Sequence, residues 1–370
     1  MKRCSKCLLP ETYPNVGYNG DGVCNYCLSY SPIEYKGETK LKELLDIDTY
    51  RNRNKGEKYD CVVAVSGGRD STFMLYELIE AYDMRVLAYN YDNGFVSEQA
   101  KLNLKKITDA LGVDLVTMKH DQRKYFRNNL IALSKKFSPA MVPTLCLGCR
   151  YGIVSGACKV AMRYKVPLVF FSSSRLEKTS FKNEFFKTHF NKKVVGMASE
   201  FFSNPFYFKP SFVPMYVRDY FHDDSHLHPL SPWLKLLYGK VKIVEFFDYV
   251  KWDEKRIENT IEKELKWKKL KEVKSSWRFD CLVHYFKDFF YLNSVGFTER
   301  DELLSNMIRE GMISREEALW RLMEEYENQR EIRENIIRSV IEELEVDMPI
   351  LHDFRGGNEK LQRQVLPNPR

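Results

Sequence analysis

Apolar residues run without interruption from 62 to 65, give way to Ser66-Gly67-Gly68, and resume as Thr72, Phe73, Met74, Leu75, Leu78 and Ile79 at helical spacing. A short unbroken apolar run bounded by turn residues reads as a buried strand, and the 3.6-residue period after it reads as a helix with one packed face. The alternation recurs. Strands are predicted at 85–91, 114–118 and 168–171, and helices at about 97–111, 121–136 and 150–164. Strands alternating with helices imply an α/β fold with a parallel sheet and right-handed crossovers, with ligands gathering at the carboxyl ends of the strands.

Outside this region the pattern changes. Residues 1–35 have almost no apolar periodicity and read as a metal-stapled knuckle, followed by a linker helix at 36–58 and a catalytic domain at 59–240. The stretch 249–271 is mixed in charge and helical, which suggests a solvated face. It opens a helical region at 241–345, expected to meet substrate or a partner, and a loose tail at 346–370 follows. The aromatic stretch 181–220 reads as an irregular excursion that packs or lines a pocket.

The first strand-turn-helix holds the strongest chemical signal. Gly67 and Gly68 let backbone approach an anion, Ser66 and Ser71 offer hydroxyls, and the helix start offers free N–H groups, so a pyrophosphate fits there and ATP is the expected ligand. The loop lacks the G-x-x-x-x-G-K pattern of a Walker site. Val62 to Ser71 instead resembles the SGGxDS loop of the ATP pyrophosphatases, which cleave ATP between the α and β phosphates and adenylate a carbonyl oxygen. That resemblance implies a sheet of the adenine-nucleotide α-hydrolase type. It assigns nucleotide contacts to Ala64, Ser66, Gly67, Gly68, Arg69, Asp70 and Ser71, with Asp70 orienting a Mg²⁺-pyrophosphate. It also places Tyr91, Asn93 and Gly94, at the end of the second strand, beside the adenosine, although Asn93-Gly94 reads equally well as a plain turn. Arg175, after the fourth strand, is either a phosphate clamp or a surface residue.

Nine cysteines in a chain where no secretory leader is expected point to metal ligands or reactive thiols rather than disulfides. Cys4-x-x-Cys7 and Cys24-x-x-Cys27, separated by 16 residues, have the spacing of a Cys₄ zinc site, with an iron–sulfur cluster the lesser alternative. Cys146 and Cys149 form a third C-x-x-C before a helix. It suits a low-pKa thiolate, half of a metal site with Cys281 as distant third ligand, or a structural turn. Cys61 and Cys158 read as core thiols, and His222, His226 and His228 as loop histidines or a metal site.

Hydrophobic residues make up 44% of the 370 and charged residues 29%, an ordinary globular composition. No apolar run was expected to span a bilayer, so membrane insertion is not expected and the protein reads as cytoplasmic. A net charge of +7 suits an enzyme of anionic small molecules as well as one that touches RNA, but no basic stripe with interleaved aromatics stands out, so nucleic acid is not the expected partner.

The two N-terminal cysteine pairs, the ATP loop, the internal C-x-x-C and Ser276-Trp277-Arg278-Phe279-Asp280-Cys281 together resemble the N-acetyl sugar amidotransferases of bacterial surface-polysaccharide (lipopolysaccharide O-antigen) pathways, from Cys4 to about Leu319. What the resemblance implies is conversion of an N-acetyl group on a nucleotide-linked sugar to an acetamidino group. ATP, Mg²⁺ and Zn²⁺ would serve it, and Asp70, Arg175, Arg278 and Asp280 would be its catalytic residues. No glutaminase unit is expected in this chain, so a glutaminase subunit and a cyclase-like, ammonia-delivering subunit are the expected partners. A tRNA thiolase with an iron–sulfur cluster on Cys146, Cys149 and Cys281 is the alternative.

Overall fold

A computed structural model describes residues 1–53, 55–146, 148–177, 181–185, 199–214 and 238–347. The loop histidines 222, 226 and 228, most of the tail and much of the aromatic stretch lie outside the described residues. Five strands form one sheet: β1 Cys61–Ala64, β2 Val86–Asp92, β3 Asp114–Lys119, β4 Leu168–Phe171 and β5 Lys242–Glu245. Their order is β3-β2-β1-β4-β5 and every pairing is parallel. This is the strand order of doubly wound nucleotide-binding sheets, with the switch point beside β1. Cys61 sits opposite both Val86 and Leu168, which centres β1 between its neighbours.

Both faces of the sheet are covered, and the strands show it residue by residue. Cys61, Val63, Val86, Ala88, Leu168 and Phe170 enter one core with Phe73, Leu75 and Leu78, while Val62, Leu87, Tyr89, Val169 and Phe171 enter the other with Ala157, Cys158 and Ala161. That is period-two alternation in which each face is apolar, and it explains the continuous hydrophobic runs in the sequence. The helices carrying these residues are α1 Arg69–Glu80 on the first face and α2 Cys149–Arg163 on the second. Cys61 and Cys158 are buried, and burial pushes the Cys158 thiol up to about 12.

The helical segments Pro139–Cys146 and Cys149–Arg163 fall in a stretch long and apolar enough by composition to cross a membrane, yet just over half of its most apolar window is buried within the fold. Two of its glycines explain how. A Cβ at Gly152 would stand 2.1 Å from the Tyr91 ring and one at Gly156 1.8 Å from the Tyr89 hydroxyl, so the helix lies directly on the tyrosines of β2. Among the described residues, Ala157, Cys158 and Ala161 of this stretch pack on the sheet, Met141, Val142 and Leu145 enter the core with Phe126 and Phe286, and Ile153 and Met162 are exposed.

Two elements differ from the sequence reading. Strand β5 was not foreseen, because four residues following an irregular stretch give no periodic signal. The helix Glu254–Leu265, read as solvated, buries Ile257, Ile261 and Leu265 and also nearly buries Glu254. The C-terminal region is helical, as expected, with Val283–Ser294, Glu299–Arg309, Arg315–Met323 and Arg330–Glu343. The knuckle does not stand apart: its cysteines share a core with Phe126, Phe181, Phe286 and Phe297.

Candidate functional site

The loop between β1 and α1 is held from several sides. Val65 N–H donates to the Tyr89 carbonyl and Asn90 Nδ2 donates to the Val65 carbonyl, each at 2.8 Å, which fixes where the loop leaves the sheet. Gly67 adopts φ +81°, and a Cβ there would lie 2.1 Å from the Ala100 carbonyl oxygen, so only glycine fits. The Gly67 carbonyl accepts from Trp267 Nε1 at 3.0 Å and Asn103 Nδ2 at 3.3 Å. Ser66 Oγ and Ser71 Oγ stand 3.2 Å apart, and the Ser66 and Gly68 N–H groups donate to Ser71 Oγ and Ser66 Oγ at the same distance. Gly68 caps α1 with no side-chain acceptor, leaving the first-turn N–H groups unshielded by a cap.

Across the loop lies the 276–281 element. Ser97 N–H donates to the Asp280 carbonyl at 3.0 Å and Leu282 N–H to the Phe95 carbonyl at 2.9 Å, so it runs antiparallel to 95–97. This brings Asp280 against the loop, with Oδ2 3.2 Å from where a Gly68 Cβ would be. Burial raises the Asp280 carboxyl above its ordinary range, the hydrogen bond from Ser66 pulls it back, and Asp70 pushes it further up. Burial likewise raises Asp70, opposed by Arg69 and reinforced by Glu177. Asp280 thus feels the charge of Asp70 in a desolvated site, and carboxylate oxygens are the donor type that a hard divalent cation such as Mg²⁺ takes.

A stability prediction follows from the sign of the Asp280 shift. The folded chain holds this proton more tightly than the unfolded chain, so stability declines as pH rises through the shifted range. Asp280→Asn is therefore expected to melt above the wild type at neutral pH without nucleotide, with the gap closing near about pH 4. Thermal denaturation at the two pH values checks this, and a lower melting point at neutral pH would contradict it.

Other expected site residues are placed as follows. Ala64 ends β1 beneath the loop. The Arg69 side chain turns away from the loop, bonding Asp70 at 2.9 Å, Glu254 at 2.7 Å and Ser276 Oγ at 2.8 Å, and lying 5.0 Å from the Trp252 ring centroid. It ties the loop helix to Glu254–Leu265. Arg175 pairs with Asp248 at 2.9 Å and donates to the Glu34 carbonyl at 3.1 Å, which anchors the end of the knuckle segment. Arg278 has φ +52°, lies 4.8 Å from the Trp277 ring and pairs with Glu299. Tyr91 bonds Gln122 at 2.8 Å and His120 Nδ1 at 3.3 Å, and Gly94 turns at φ +85°.

Asn93 links this end of the sheet to the internal cysteines. Its Nδ2 lies 3.3 Å from Cys149 Sγ and 3.8 Å from Cys281 Sγ, while its Oδ1 accepts from Phe95 N–H at 2.8 Å. Burial first, then nearby Cys146 and Asp280, push the Cys281 thiol up to about 12. The three thiols thus gather next to the loop carboxylate, without closing to the mutual spacing of the N-terminal group.

At the knuckle, the sulfurs of Cys4, Cys7, Cys24 and Cys27 all lie within 4.8 Å of one another, and Cys7 and Cys24 are 3.7 Å apart. Four thiolates around zinc at about 2.3 Å stand about 3.8 Å apart, so the donor set fits. N–H groups of Lys6, Cys7 and Cys24 donate to Cys4 Sγ, and Arg309 donates to Cys27 Sγ and Cys7 Sγ. Arg315 Nε donates to the Cys4 and Cys7 carbonyls at 3.2 Å each, so the C-terminal helices clasp the knuckle. Cys24→Ser is expected to lower zinc from about one per chain to none and to make residues 1–35 rapidly cleavable by trypsin. Elemental analysis and limited proteolysis check it; retained zinc with unchanged protection would refute the assignment.

Residues not singled out from sequence include Asn103, Trp267, Glu177, Glu254, Lys287 and Glu299. Asn103 and Trp267 act on the loop from far along the chain, and only the glycine that needs them gave a local signal.

No protein-family model matches the chain. Over 130 residues, 34% of the chain, it is 30% identical to an uncharacterized protein of Methanocaldococcus jannaschii, and it covers 46% of that protein. The chain thus spans about half the length of the curated relative it matches. Among solved structures, a U34-tRNA thiolase from Methanococcus maripaludis with its 4Fe-4S cluster is 14% identical with a TM-score of 0.32, over 94% of this chain and 90% of that one. An NMN synthetase from Francisella tularensis is 12% identical with a TM-score of 0.36, over 81% and 97%. An NH3-dependent NAD synthetase from Campylobacter jejuni subsp. jejuni is 14% identical with a TM-score of 0.28, over 49% and 93%. Likenesses this loose transfer neither substrate nor chemistry to this chain.

Proposed function

We propose that this chain is an ATP-dependent amidotransferase that converts an N-acetyl group of a nucleotide-linked sugar into an acetamidino group. The observation that carries the reading is the loop itself: Gly67 seated against Ala100, Ser66 and Ser71 mutually bonded, and Asp280 delivered to Gly68 from the 276–281 element. Sequence elements some two hundred residues apart therefore meet at one anion-binding turn.

The chemistry required is activation of an amide, whose oxygen is a poor leaving group. The amide oxygen attacks the α phosphorus of ATP, the bond to the β-phosphate oxygen breaks, and pyrophosphate departs, leaving an O-adenylyl imidate. Ammonia adds to the imidate carbon, AMP leaves with the former amide oxygen, and loss of a proton gives the amidine. The loop N–H groups and Ser66 and Ser71 hydroxyls hold the departing pyrophosphate, the electrostatic contribution such a step needs. Mg²⁺, when bound with ATP, offsets charge developing on that group, and Asp70 and Asp280 would hold it. Ammonia is supplied, in this reading, by a glutaminase subunit with a cyclase-like delivering subunit, in the cytoplasm, for surface-polysaccharide synthesis.

The test is release of AMP and pyrophosphate that requires both an N-acetylated nucleotide sugar and ammonia; turnover with tRNA and a sulfur donor instead would sink it. One observation favours a second reading. The approach of Cys149 and Cys281 to Asn93, with Cys146 close by, suits a three-thiolate iron–sulfur cluster of the kind a tRNA thiolase uses. Iron and acid-labile sulfide in anaerobically purified protein, lost in Cys149→Ser, would move the assignment there.

A further inference from the structure

Beside the loop, Lys182, Arg278 and Lys287 converge on one carboxylate, Glu299. Lys182 Nζ lies 2.5 Å and Lys287 Nζ 2.9 Å from Glu299 Oε1, and Arg278 pairs with Oε2. Glu299 forms the floor, with its side chain 2% exposed, whereas Lys182 and Arg278 are 25% and 29% exposed. Lys182 and Arg278 thus reach solvent at the edge of the cluster, Lys287 is buried at 11% exposed, and the carboxylate holds all three together from below.

Two features show that this cluster is held in place. Arg278 takes a left-handed backbone conformation, at φ +52°, uncommon for a side chain of its size and typical of places where structure around a residue dictates its direction. Its guanidinium also lies over Trp277, whose ring is further flanked by Arg300 at 5.2 Å and His284 at 5.6 Å and whose Nε1 is fixed by Glu177 Oε1 at 2.6 Å. The position is equally specific. Arg278 and Asp280 lie two residues apart on the element that meets the ATP loop, and Lys287 is close enough to Cys146 and Arg278 to feel their charge.

We infer that Lys182, Arg278 and Lys287 form the anion subsite for the substrate's own diphosphate, separate from the loop that holds the pyrophosphate of ATP. The inference rests on the nucleotide-sugar reading above. A planar guanidinium flanked by two ammonium groups matches the peripheral oxygens of a phosphate or diphosphate. Glu299 keeps three like charges from repelling one another when the subsite is empty, and it competes with the ligand when the subsite fills.

The experiment is calorimetric titration of the full chain with UDP and with UDP-N-acetylglucosamine, the ATP loop being saturated with α,β-methylene ATP. Wild type is expected to bind both. Lys182→Gln and Arg278→Gln should each weaken binding by about 10-fold or more, with Arg278→Lys recovering part of the loss. Glu299→Gln, if circular dichroism shows it folded, should bind UDP more tightly than wild type, which a merely structural role does not produce. The inference is overturned if wild type binds neither probe, if both glutamine variants bind like wild type, or if a tRNA binds and the nucleotides do not compete with it. The two readings fail separately. Charge-dependent UDP binding without N-acetyl turnover would leave the subsite standing and remove the proposed reaction; turnover at unchanged KM in both glutamine variants would do the reverse.

Discussion

Gly67→Ala is expected to abolish ATP binding and to destabilise the fold by about 2–5 kcal/mol, the combined cost of a positive φ for a residue with a Cβ and of overpacking. The methyl would stand 2.1 Å from the Ala100 carbonyl oxygen and 2.9 Å from its carbon, both backbone atoms that cannot swing aside. Relief requires the loop to lift or the helix Glu98–Leu111 to shift. That helix is fixed at its start by Ser97, whose Oγ accepts from Ala100 N–H, and at its end by left-handed Gly112. The loop therefore moves, and the bonds from Trp267 and Asn103 to the Gly67 carbonyl are lost with it. Equilibrium denaturation and nucleotide titration read the two effects. Wild-type ATP affinity in this variant would show that the loop is not the phosphate site.

Asp70→Ala is expected to cut AMP formation by about 100-fold or more while the protein stays folded, a loss of the size seen when one charge-stabilising group is removed from a reacting centre. The fold is expected to survive because Arg69 keeps Glu254 and Ser276, which already tie α1 to the helix behind it. Removing Asp70 also relieves a buried carboxylate that its surroundings hold above its ordinary range. Steady-state assay with a melting curve separates the outcomes. Near-normal turnover would remove Asp70 from the mechanism, and unfolding would show it to be a structural partner of Arg69.

Much of the sheet was legible because the central strands β1, β2 and β4 are buried on both sides and read as apolar runs, and because Ser66-Gly67-Gly68 interrupts the sequence where strand passes to helix. The four N-terminal cysteines were legible for a similar local reason, since C-x-x-C spacing brings two sulfurs together whatever surrounds them. Contacts between distant segments were not. Arg69 lies within the loop motif, and nothing local says that its side chain leaves for Glu254, 185 residues on. Arg175 follows a strand as a phosphate clamp would, yet Asp248, in the helical turn after β5, takes it, and β5 itself gave no pattern. Glu254 looked like one more charge on a mixed helix; only its neighbours Arg69 and Arg321 make it part of the scaffold. The meeting of Cys149, Cys281 and Asn93 joins three elements spread over 188 residues, beyond any spacing rule.

The central claim is that ATP activates the oxygen of a sugar-borne acetamido group. An N-acetylated nucleotide sugar carrying oxygen-18 in that carbonyl, incubated with ATP and ammonia, tests it through the mass of the AMP released. The account predicts that the AMP carries the label and the sugar becomes an amidine that has lost it; AMP formed without label while the sugar keeps its oxygen would contradict it.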